Sequence, residues 1–217
     1  LFRSLDLNTK SKVFEHLVPE EQKALLEDLD KKEAAQIISH MSPDEATDFL
    51  ERLPRSSVTN LLTLVESASA KKLSTLLGYS SDSAGGLMNT EFVSISETAS
   101  VENAIEYIRT KTKEFESVAY IYILDDRNHL KGFTTIRMLL FADAKDNILK
   151  TAFPKTVYVH LKDSAREVAY LMDRYKLSAI PVVDENKTLQ GIITSDDILS
   201  QVIAIAWRRR PKAGKGV

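Results

Sequence analysis

Three carboxylates stand together near the start of a predicted helix in the first quarter of the chain. Asp44, Glu45 and Asp48 follow Pro43, and proline favours the first turn of a helix, where no hydrogen-bond donor is lost. Asp44 and Asp48 are four residues apart, so their side chains share one helical face. Acids at this place complement the positive end of the helix dipole. The spacing alone favours that interpretation, and a site for a hard divalent cation is the alternative.

Composition and charge exclude several classes of function. Lys and Arg total 29, Asp and Glu total 31, and the net charge is −2, whereas a general nucleic-acid binder carries a basic excess. The lack of cysteine excludes disulfides, thiolate metal sites and cysteine nucleophiles. The sequence has no Gly-rich phosphate loop and no nucleophile with a plausible base. We therefore expect binding rather than enzymatic catalysis, and no nucleic-acid partner.

The ends and hydropathy of the chain suggest a piece of a larger protein. No run of about 18 apolar residues occurs, so we expect no membrane span within the sequence. The chain begins at Leu1, without an initiator Met or a signal-peptide pattern. If the parent is a membrane protein, we expect its membrane part to lie outside this sequence.

The first third of the chain is an internal repeat. Asp6 returns as Asp30 and His16 returns as His40, each 24 residues later. A fixed period of this length indicates stacked supersecondary units. Each unit is predicted to form two short helices, because apolar residues follow at helical spacing. Residues 1–77 are therefore predicted to form an all-α superhelical domain.

The remainder of the chain shows one order of elements twice. A polar, Gly-containing linker is predicted at 78–91, and a β-α-β-β-α copy follows over 92–150. The second copy covers 151–206 and precedes a basic tail at 207–217. Two such copies form a compact pair, so the fold class of the whole chain is α+β. Strands are predicted at 92–95, 119–124, 130–134, 157–159, 179–183 and 189–194, and helices at 100–109, 136–141, 164–175 and 196–203.

The second copy resembles a CBS domain. The residues that carry this resemblance are Ile180–Asp184 and Gly191–Asp197, and the first copy has Gly132–Thr135 at the equivalent place. Two such copies in tandem form a Bateman module. Ahead of them, Ser83–Val93 resembles the junction in MgtE transporters, and the 24-residue helical repeat is similar to their N-terminal domain. Almost the whole chain is thus similar to the cytosolic region of MgtE-type magnesium transporters.

This resemblance implies a Mg²⁺-sensing gating module at the cytoplasmic face of the cell membrane. In the family, Mg²⁺ bridges acidic residues between the helical domain and the CBS pair when cytosolic Mg²⁺ is high, and the pore closes. The family works as a homodimer. The expected partners are therefore a second copy, bound through the CBS pair, and the transmembrane pore domain of the same parent chain.

The resemblance makes Mg²⁺ binding the favoured interpretation of several acids. The acids of the predicted helix after Pro43 would face the CBS pair, and Asp197 would meet them across the ion. The alternative for Asp197 is a solvated acid at the start of a helix. The implied metal ligands are Asp44, Glu45, Asp48, Asp173, Asp196 and Asp197.

The resemblance also implies a site for ATP or another adenine nucleotide. Thr194 and Asp197 form a T-x-x-D pattern, in which a hydroxyl and a carboxylate could hold a ribose. In the first copy Met138 stands where that pattern has its acid, so this contact is missing there. Tyr120 would stack on a base, although a core tyrosine is the alternative. The expected nucleotide-binding residues are Tyr120, Arg137, Ile180, Pro181, Thr194 and Asp197.

The sequence departs from the family pattern at several positions where metal-binding acids are expected. Ser164, Arg166, Lys176 and Ser200 stand there in the CBS pair, and Lys12 stands at a comparable place in the helical domain. Fewer acids imply fewer metal sites, or a salt bridge where the ion would sit. The alternative function is therefore an adenine-nucleotide-sensing CBS module attached to a different transporter or enzyme.

Overall fold

The chain divides into two compact units. A computed structural model describes residues 2–111, 119–153 and 155–208, with side chains described as far as residue 203. The division falls between Leu1–Ser81 and Asp82–Val217, here called the helical unit and the CBS unit. The side chains of the predicted basic tail lie outside the described residues.

The helical unit consists of paired short helices after a single 3₁₀ turn at Phe2–Ser4. Helices α1, α3 and α5 begin 24 residues apart, at Leu7, Lys31 and Arg55. Helices α2 and α4 begin with the prolines of the repeat, Pro19 and Pro43. The predicted all-α repeat is thus confirmed. The helices are α1 (Leu7–Glu15), α2 (Pro19–Asp28), α3 (Lys31–His40), α4 (Pro43–Glu51), α5 (Arg55–Leu62) and α6 (Ser67–Leu76).

The repeated aspartates begin helices. Asp6 accepts a hydrogen bond from the Thr9 amide at 3.1 Å, and Asp30 accepts one from the Glu33 amide at 2.8 Å. Each satisfies a backbone donor that the first helical turn leaves without an intrahelical partner. The recurrence of Asp with the period is therefore a capping requirement of α1 and α3.

The repeated histidines end helices. His16 Nδ1 lies 2.8 Å from the Lys12 carbonyl oxygen, and His40 Nδ1 lies 3.0 Å from that of Gln36. Both imidazoles are exposed. They contact carbonyl groups in the last turns of α1 and α3.

The CBS unit contains two three-stranded sheets with the order β1-β2-β3 and β4-β5-β6. In each sheet the first pair of strands is parallel and the second is antiparallel. The predicted α+β class is confirmed, and β1 lies slightly later than predicted because Phe92 packs into the core between the copies. The elements are α7 (Ala84–Leu87), β1 (Ser94–Ser96), α8 (Val101–Lys111), β2 (Ile121–Leu124), β3 (Leu130–Thr134), α9 (Ile136–Phe141), β4 (Val159–His160), α10 (Ala165–Tyr175), β5 (Ala179–Val183), β6 (Leu189–Thr194) and α11 (Ser195–Arg208).

The two copies share one core and one seam. Tyr122 and Phe133 of the first copy pack with Val183 and Ile192 of the second. At the seam, the Leu130 amide donates to the Lys187 carbonyl at 2.9 Å and the Leu189 amide to the Asn128 carbonyl at 3.0 Å. Burial of this shared apolar surface makes the pair one body, because neither sheet covers that face alone.

Each copy is completed by the segment that precedes the other copy. Residues 82–90, here called the leading strap, come before the first copy but pair with the second, where the Asn89 amide donates to Ile192 at 2.8 Å. Residues 146–153 come before the second copy and pair with the first, where the Phe153 amide donates to Phe133 at 3.0 Å. The copies therefore exchange their leading segments reciprocally.

One buried hydroxyl in this unit offers a test of the packing. Thr134 is fully buried in β3, and its Oγ1 has no hydrogen-bond partner among the described residues. An unsatisfied buried hydroxyl costs about 1–3 kcal/mol. We therefore expect Thr134→Val to stabilise the CBS unit by about 1 kcal/mol. Urea unfolding followed by the tyrosine near-ultraviolet signal measures this unit, since all tyrosines except Tyr79 lie in it.

A matched control is available in the same unit. Thr151 is 2% exposed, and its hydroxyl donates to the Ile148 carbonyl at 2.7 Å. Thr151→Val should lower stability, because it leaves that carbonyl without this donor. Equal loss of stability in both variants would contradict the assignment of Thr134 as unsatisfied.

Candidate functional site

The acids predicted from their spacing lie on α4 as expected. Asp44 and Glu45 occupy its first turn, and Asp48 follows one turn later. All three side chains are partly buried. The helix buries its opposite face through Phe49 and Leu50, which fixes the acidic face with respect to the rest of the unit.

Burial makes the ionised form of Asp48 unfavourable. Loss of solvent raises the pKa of the Asp48 carboxyl, and the positive charge of Arg52 opposes that shift. The pKa of Glu51 is raised as well, first by burial and then by the negative charge of Asp48. The guanidinium of Arg52 also donates to Gln22 Oε1 at 3.0 Å. This end of α4 therefore holds carboxylates that a cation would stabilise.

The structure adds one acid that sequence reasoning missed. The Glu15 carboxylate is 4% exposed and forms an ion pair with Lys12 at 3.2 Å. It also accepts a hydrogen bond from the Ser42 amide at 2.6 Å, and Ser42 is the N-cap residue of α4. Glu15 thus caps the helix that carries the acids. The contact joins residues 27 positions apart, so no local sequence pattern could have shown it.

The donor set fits Mg²⁺ chemistry in part. Among the described residues, no group of three or more His, Asp or Glu side chains is arranged to hold a metal ion. Mg²⁺ keeps several of its waters and is commonly held through one or two carboxylates. Asp44 and Asp48 are oxygen donors one helical turn apart, so this pair suits such a site.

At the end of β6, Thr194 and Asp197 form a closed pair. The Thr194 amide donates to Asp197 Oδ2 at 3.1 Å, and the Thr194 hydroxyl donates to the same oxygen. The carboxylate therefore fixes the turn from β6 into α11. Because the Thr194 proton is used here, a ribose at this place could be held through hydroxyl lone pairs and carboxylate oxygens.

Residues of both copies meet beside this pair. Ala179 pairs with Thr194 across β5 and β6, and the Ser195 amide donates to the Ser178 carbonyl at 2.9 Å. The Ser178 amide donates to the Tyr120 hydroxyl of the first copy at 3.4 Å. Ser178 is a second residue that sequence reasoning missed, because its role depends on a partner 58 positions away.

The other expected nucleotide-binding residues have different settings. Ile180 and Pro181 are buried within β5, where they pair with Ile193 and Ile192 of β6. Tyr120 is partly buried and meets Phe133 edge-on at 4.7 Å. Arg137 is exposed on the first turn of α9. Of these residues, the structure brings Tyr120 close to the Thr194 end of β6, through the Ser178 amide.

The equivalent turn in the first copy has a different chemistry. Thr135 precedes α9 as Thr194 precedes α11, and its hydroxyl accepts from the Met138 amide at 3.3 Å. The Met138 side chain, at the place of Asp197, is 40% exposed. The two copies therefore differ in charge at matching turns, and only the second has a carboxylate there.

The remaining predicted metal ligands are surface acids. Asp173 forms an ion pair with Lys176 at 2.8 Å, with side chains 83% and 81% exposed. Exposed pairs of this kind contribute little to stability. Asp196 is exposed in the first turn of α11. Neither belongs to a metal-binding group within the described part of the chain.

A helical repeat followed by two β-α-β-β-α copies with a shared core defines a protein with a helical domain and a CBS pair. The family model described as the MgtE intracellular N domain matches residues 1–82. The CBS domain model matches residues 84–145 and 151–204. The chain belongs to the family of MgtE cytosolic regions.

Solved structures agree with this assignment. The cytosolic domain of the Mg²⁺ channel MgtE in complex with ATP is 32% identical, with a TM-score of 0.86, covering 92% of this chain and 82% of that one. The soluble part of a magnesium transporter is 30% identical with a TM-score of 0.82, covering 94% and 86%.

Curated relatives are longer than this chain. The magnesium transporter MgtE of Thermus thermophilus is 36% identical over 71% of the chain and 34% of its own length. That of Bacillus subtilis is 32% identical over 65% and 32%. The match thus spans about a third of these relatives. Within the described residues, no helix is long and apolar enough to cross a membrane.

The raised pKa of Asp48 predicts how the stability of the helical unit depends on pH. A carboxyl whose pKa is higher in the folded state stabilises the fold less as pH rises through that pKa. Asp48→Asn should therefore raise the thermal midpoint of the helical unit in Mg²⁺-free buffer at neutral pH. The gain should shrink as pH falls through the raised pKa of Asp48 and disappear below the pKa of an unfolded aspartate, about 3.9.

The exposed Asp28 of the same unit supplies the control. Asp28→Asn removes the same charge without relieving burial and should leave the midpoint nearly unchanged. A neutral-pH gain that is equal in both variants would show that net charge, rather than burial of Asp48, is responsible.

Proposed function

We propose that this chain is the Mg²⁺-sensing gating region of a magnesium transporter. In this proposal it lies at the cytoplasmic face of the cell membrane, attached to a transmembrane pore domain of the same parent protein. Mg²⁺ bridges acidic residues of the helical domain and the CBS pair, and the pore closes. The chain acts by binding and by change of conformation rather than as an enzyme.

The partly buried acidic face of α4 carries the proposal. Burial raises the pKa of Asp48, so the protein keeps a carboxyl group where its charge is costly. The pKa of the exposed Glu51 is raised as well, by partial loss of solvent and by the negative charge of Asp48. Stability alone gives no reason to keep such groups. Binding of a divalent cation would be such a reason. The cation neutralises the carboxylates when it is bound, and the carboxylates repel one another when it is absent.

The electrostatic scale is sufficient for a switch. Two carboxylates about 4 Å apart repel by roughly 4 kcal/mol at an effective dielectric of about 20. Moving an equilibrium from 1:99 to 99:1 takes about 5.5 kcal/mol. Relief of repulsion at a few such positions is therefore of the required size. Asp44 and Asp48 would hold the ion on the helical side, and Asp197 on the CBS side.

Adenine-nucleotide sensing is the second candidate function. The Thr194–Asp197 pair at the end of β6 supports it, as does the complex of a related cytosolic domain with ATP. The carboxylate that could hold a ribose occurs in the second copy, while Met138 occupies the matching turn of the first. We therefore place a nucleotide, if this function applies, beside Thr194, Asp197 and Tyr120.

The Mg²⁺ proposal predicts a compaction that depends on the acids of α4. Small-angle scattering of the full chain should give a smaller radius in millimolar Mg²⁺ than in EDTA. Asp44→Asn with Asp48→Asn should abolish most of this Mg²⁺-dependent difference, because a ligand shifts an equilibrium only by its differential affinity. Adding Asp197→Asn should change little more, since the acids act as one unit.

A charge-matched control separates ligand loss from net charge. Glu27→Gln with Asp28→Asn removes two exposed acids from the same unit and should leave the response intact. If the wild-type chain does not compact with Mg²⁺ but its thermal midpoint rises with ATP, the second candidate function replaces the first. If the α4 double variant responds like the wild type, Asp44 and Asp48 are not the ligands.

We also propose that the chain forms a homodimer through the CBS pair. Large apolar side chains stand exposed on matching helices of the two copies: Leu140 and Phe141 on α9 are 70% and 82% exposed, and Leu199 and Ile203 on α11 are 58% and 48% exposed. Large exposed apolar side chains grouped on a few helices are typical of association sites. The two copies thus contribute equivalent helices to one interface.

Sedimentation tests the dimer directly. The wild-type chain should sediment as a dimer, and Phe141→Ser should raise its dissociation constant by at least about tenfold. Val18→Ser, which changes a side chain 55% exposed in the helical unit, should have no effect. A dimer that resists Phe141→Ser and Leu199→Ser together would place the interface elsewhere.

A further inference from the structure

The leading strap is held on the second CBS copy by backbone hydrogen bonds at both of its ends. Near its start, the Ala84 amide donates to the Asp163 carbonyl at 2.7 Å, and the Gly85 amide donates to Leu161 at 2.8 Å. Near its end, Asn89 and Ile192 exchange two bonds, of 2.8 and 2.9 Å. All residues from 84 to 89 are buried. The strap is therefore an integral part of the second copy.

A glycine of β6 makes this close approach possible. A Cβ at Gly191 would lie 2.7 Å from the Asn89 carbonyl oxygen and 2.9 Å from the Met88 side chain. Real Cβ atoms essentially never come so close to other atoms, so a side chain there requires the strap or β6 to shift. The equivalent Gly132 of β3 has more room, since its Cβ would lie 3.4 Å from the Ala152 side chain.

The strand that receives the strap also carries the Thr194–Asp197 turn. Ile192, the partner of Asn89, lies two residues before Thr194 in β6. A shift of this strand that follows a change at Asp197 therefore reaches the strap through two backbone hydrogen bonds. In the first copy the matching strand, β3, receives residues 146–153, which connect only the two CBS copies.

The leading strap is also the covalent entry to the CBS unit. The helical unit ends at Ser81 and the strap begins at Asp82. The Asp82 carbonyl accepts a hydrogen bond from the Ala165 amide at 2.8 Å, so the first residue of the strap is fixed to the start of α10. A displacement of the strap that reaches Asp82 therefore moves the attachment point of the helical unit.

We propose that the leading strap couples the Thr194–Asp197 turn to the helical unit, so that the second CBS copy, rather than the first, transmits the signal. Ligand contact at Asp197 changes the position of β6, β6 changes the pairing with Asn89, and the strap carries that change to Asp82. The role of this coupling in gating rests on the proposed function. The coupling itself is a property of this chain and can be measured without any ligand.

The first experiment measures the coupling alone, by amide hydrogen exchange of the full chain. Asp197→Asn weakens the acceptor that holds Thr194, and it should speed exchange at the Asn89 amide by about tenfold through increased local opening. Asp196→Asn changes the neighbouring exposed acid and should leave Asn89 at the wild-type rate. Unchanged exchange at Asn89 in Asp197→Asn would overturn the coupling.

The second experiment tests whether the Mg²⁺ response depends on the strap. In Gly191→Ala, exchange at Ala84, Gly85 and Asn89 should increase, while amides of β2 stay protected. The Mg²⁺-dependent change in scattering radius should fall by at least about half. Gly132→Ala is the matched control and should keep both properties. Asn89→Pro, which removes the donor to Ile192, should likewise increase exchange at Ala84 and Gly85 and reduce the Mg²⁺ response.

The outcomes separate the two proposals. If Gly191→Ala and Asn89→Pro free the strap while the Mg²⁺ response persists, the strap does not transmit the signal and the coupling is wrong. If the wild-type chain gives no Mg²⁺ response, the gating function is wrong, and the exchange experiment with Asp197→Asn still decides the coupling. If Gly191→Ala fails to fold, Asn89→Pro decides the second experiment.

Discussion

The reciprocal exchange of leading segments is the constraint on which the CBS unit depends. Residues 84–89 complete the second copy and residues 146–153 complete the first, so neither copy has all of its backbone partners within its own sequence. Leaving these groups unpaired in a buried setting would cost free energy at every position. The two copies must therefore fold together, and the shared core of Tyr122, Phe133, Val183 and Ile192 follows from that arrangement.

The symmetry of the pair makes its differences informative. The two copies use the same strand order and the same glycine position, yet Met138 stands where the other copy has Asp197. The second copy also receives the segment that continues from the helical unit. One copy thus combines the charged turn with the attachment point, while the other supplies packing, the seam and Tyr120. The helical unit is uneven as well, because the carboxyl whose ionised form is made unfavourable by burial, Asp48, lies on one helix, α4.

Periodic features of the sequence were sufficient to predict most elements. The 24-residue period located the helix pairs of the first unit, because residues that begin helices recur with it, such as the caps Asp6 and Asp30 and the prolines Pro19 and Pro43. Runs such as Ile121–Leu124 and Ala179–Val183 identified buried strands, since apolar β-rich segments need cover on both faces. The resemblance of the Gly191–Asp197 run to a CBS domain, together with that of Ser83–Val93 and the helical repeat to MgtE transporters, then gave the family.

Contacts between distant residues could not be predicted in this way. The polar and Gly-rich composition of residues 78–91 indicates a linker and gives no sign that residues 84–89 pack against a copy more than 70 positions later. The cap that Glu15 provides to α4 and the bond from Ser178 to Tyr120 also depend on tertiary structure. The assignments of Mg²⁺ and nucleotide ligands remain predictions, because they concern groups whose roles appear only with a bound ligand.

In the proposed function, Mg²⁺ acts by stabilising the ionised acids of α4. A carbon-13 NMR titration of the Asp48 carboxyl group in the full chain, with and without Mg²⁺, tests this directly. We expect a pKa raised from the ordinary aspartate value without Mg²⁺ and a clear decrease when Mg²⁺ is added, because ion and proton compete for the carboxylate. A pKa of Asp48 that stays the same when Mg²⁺ is added would show that the ion does not bind this carboxylate.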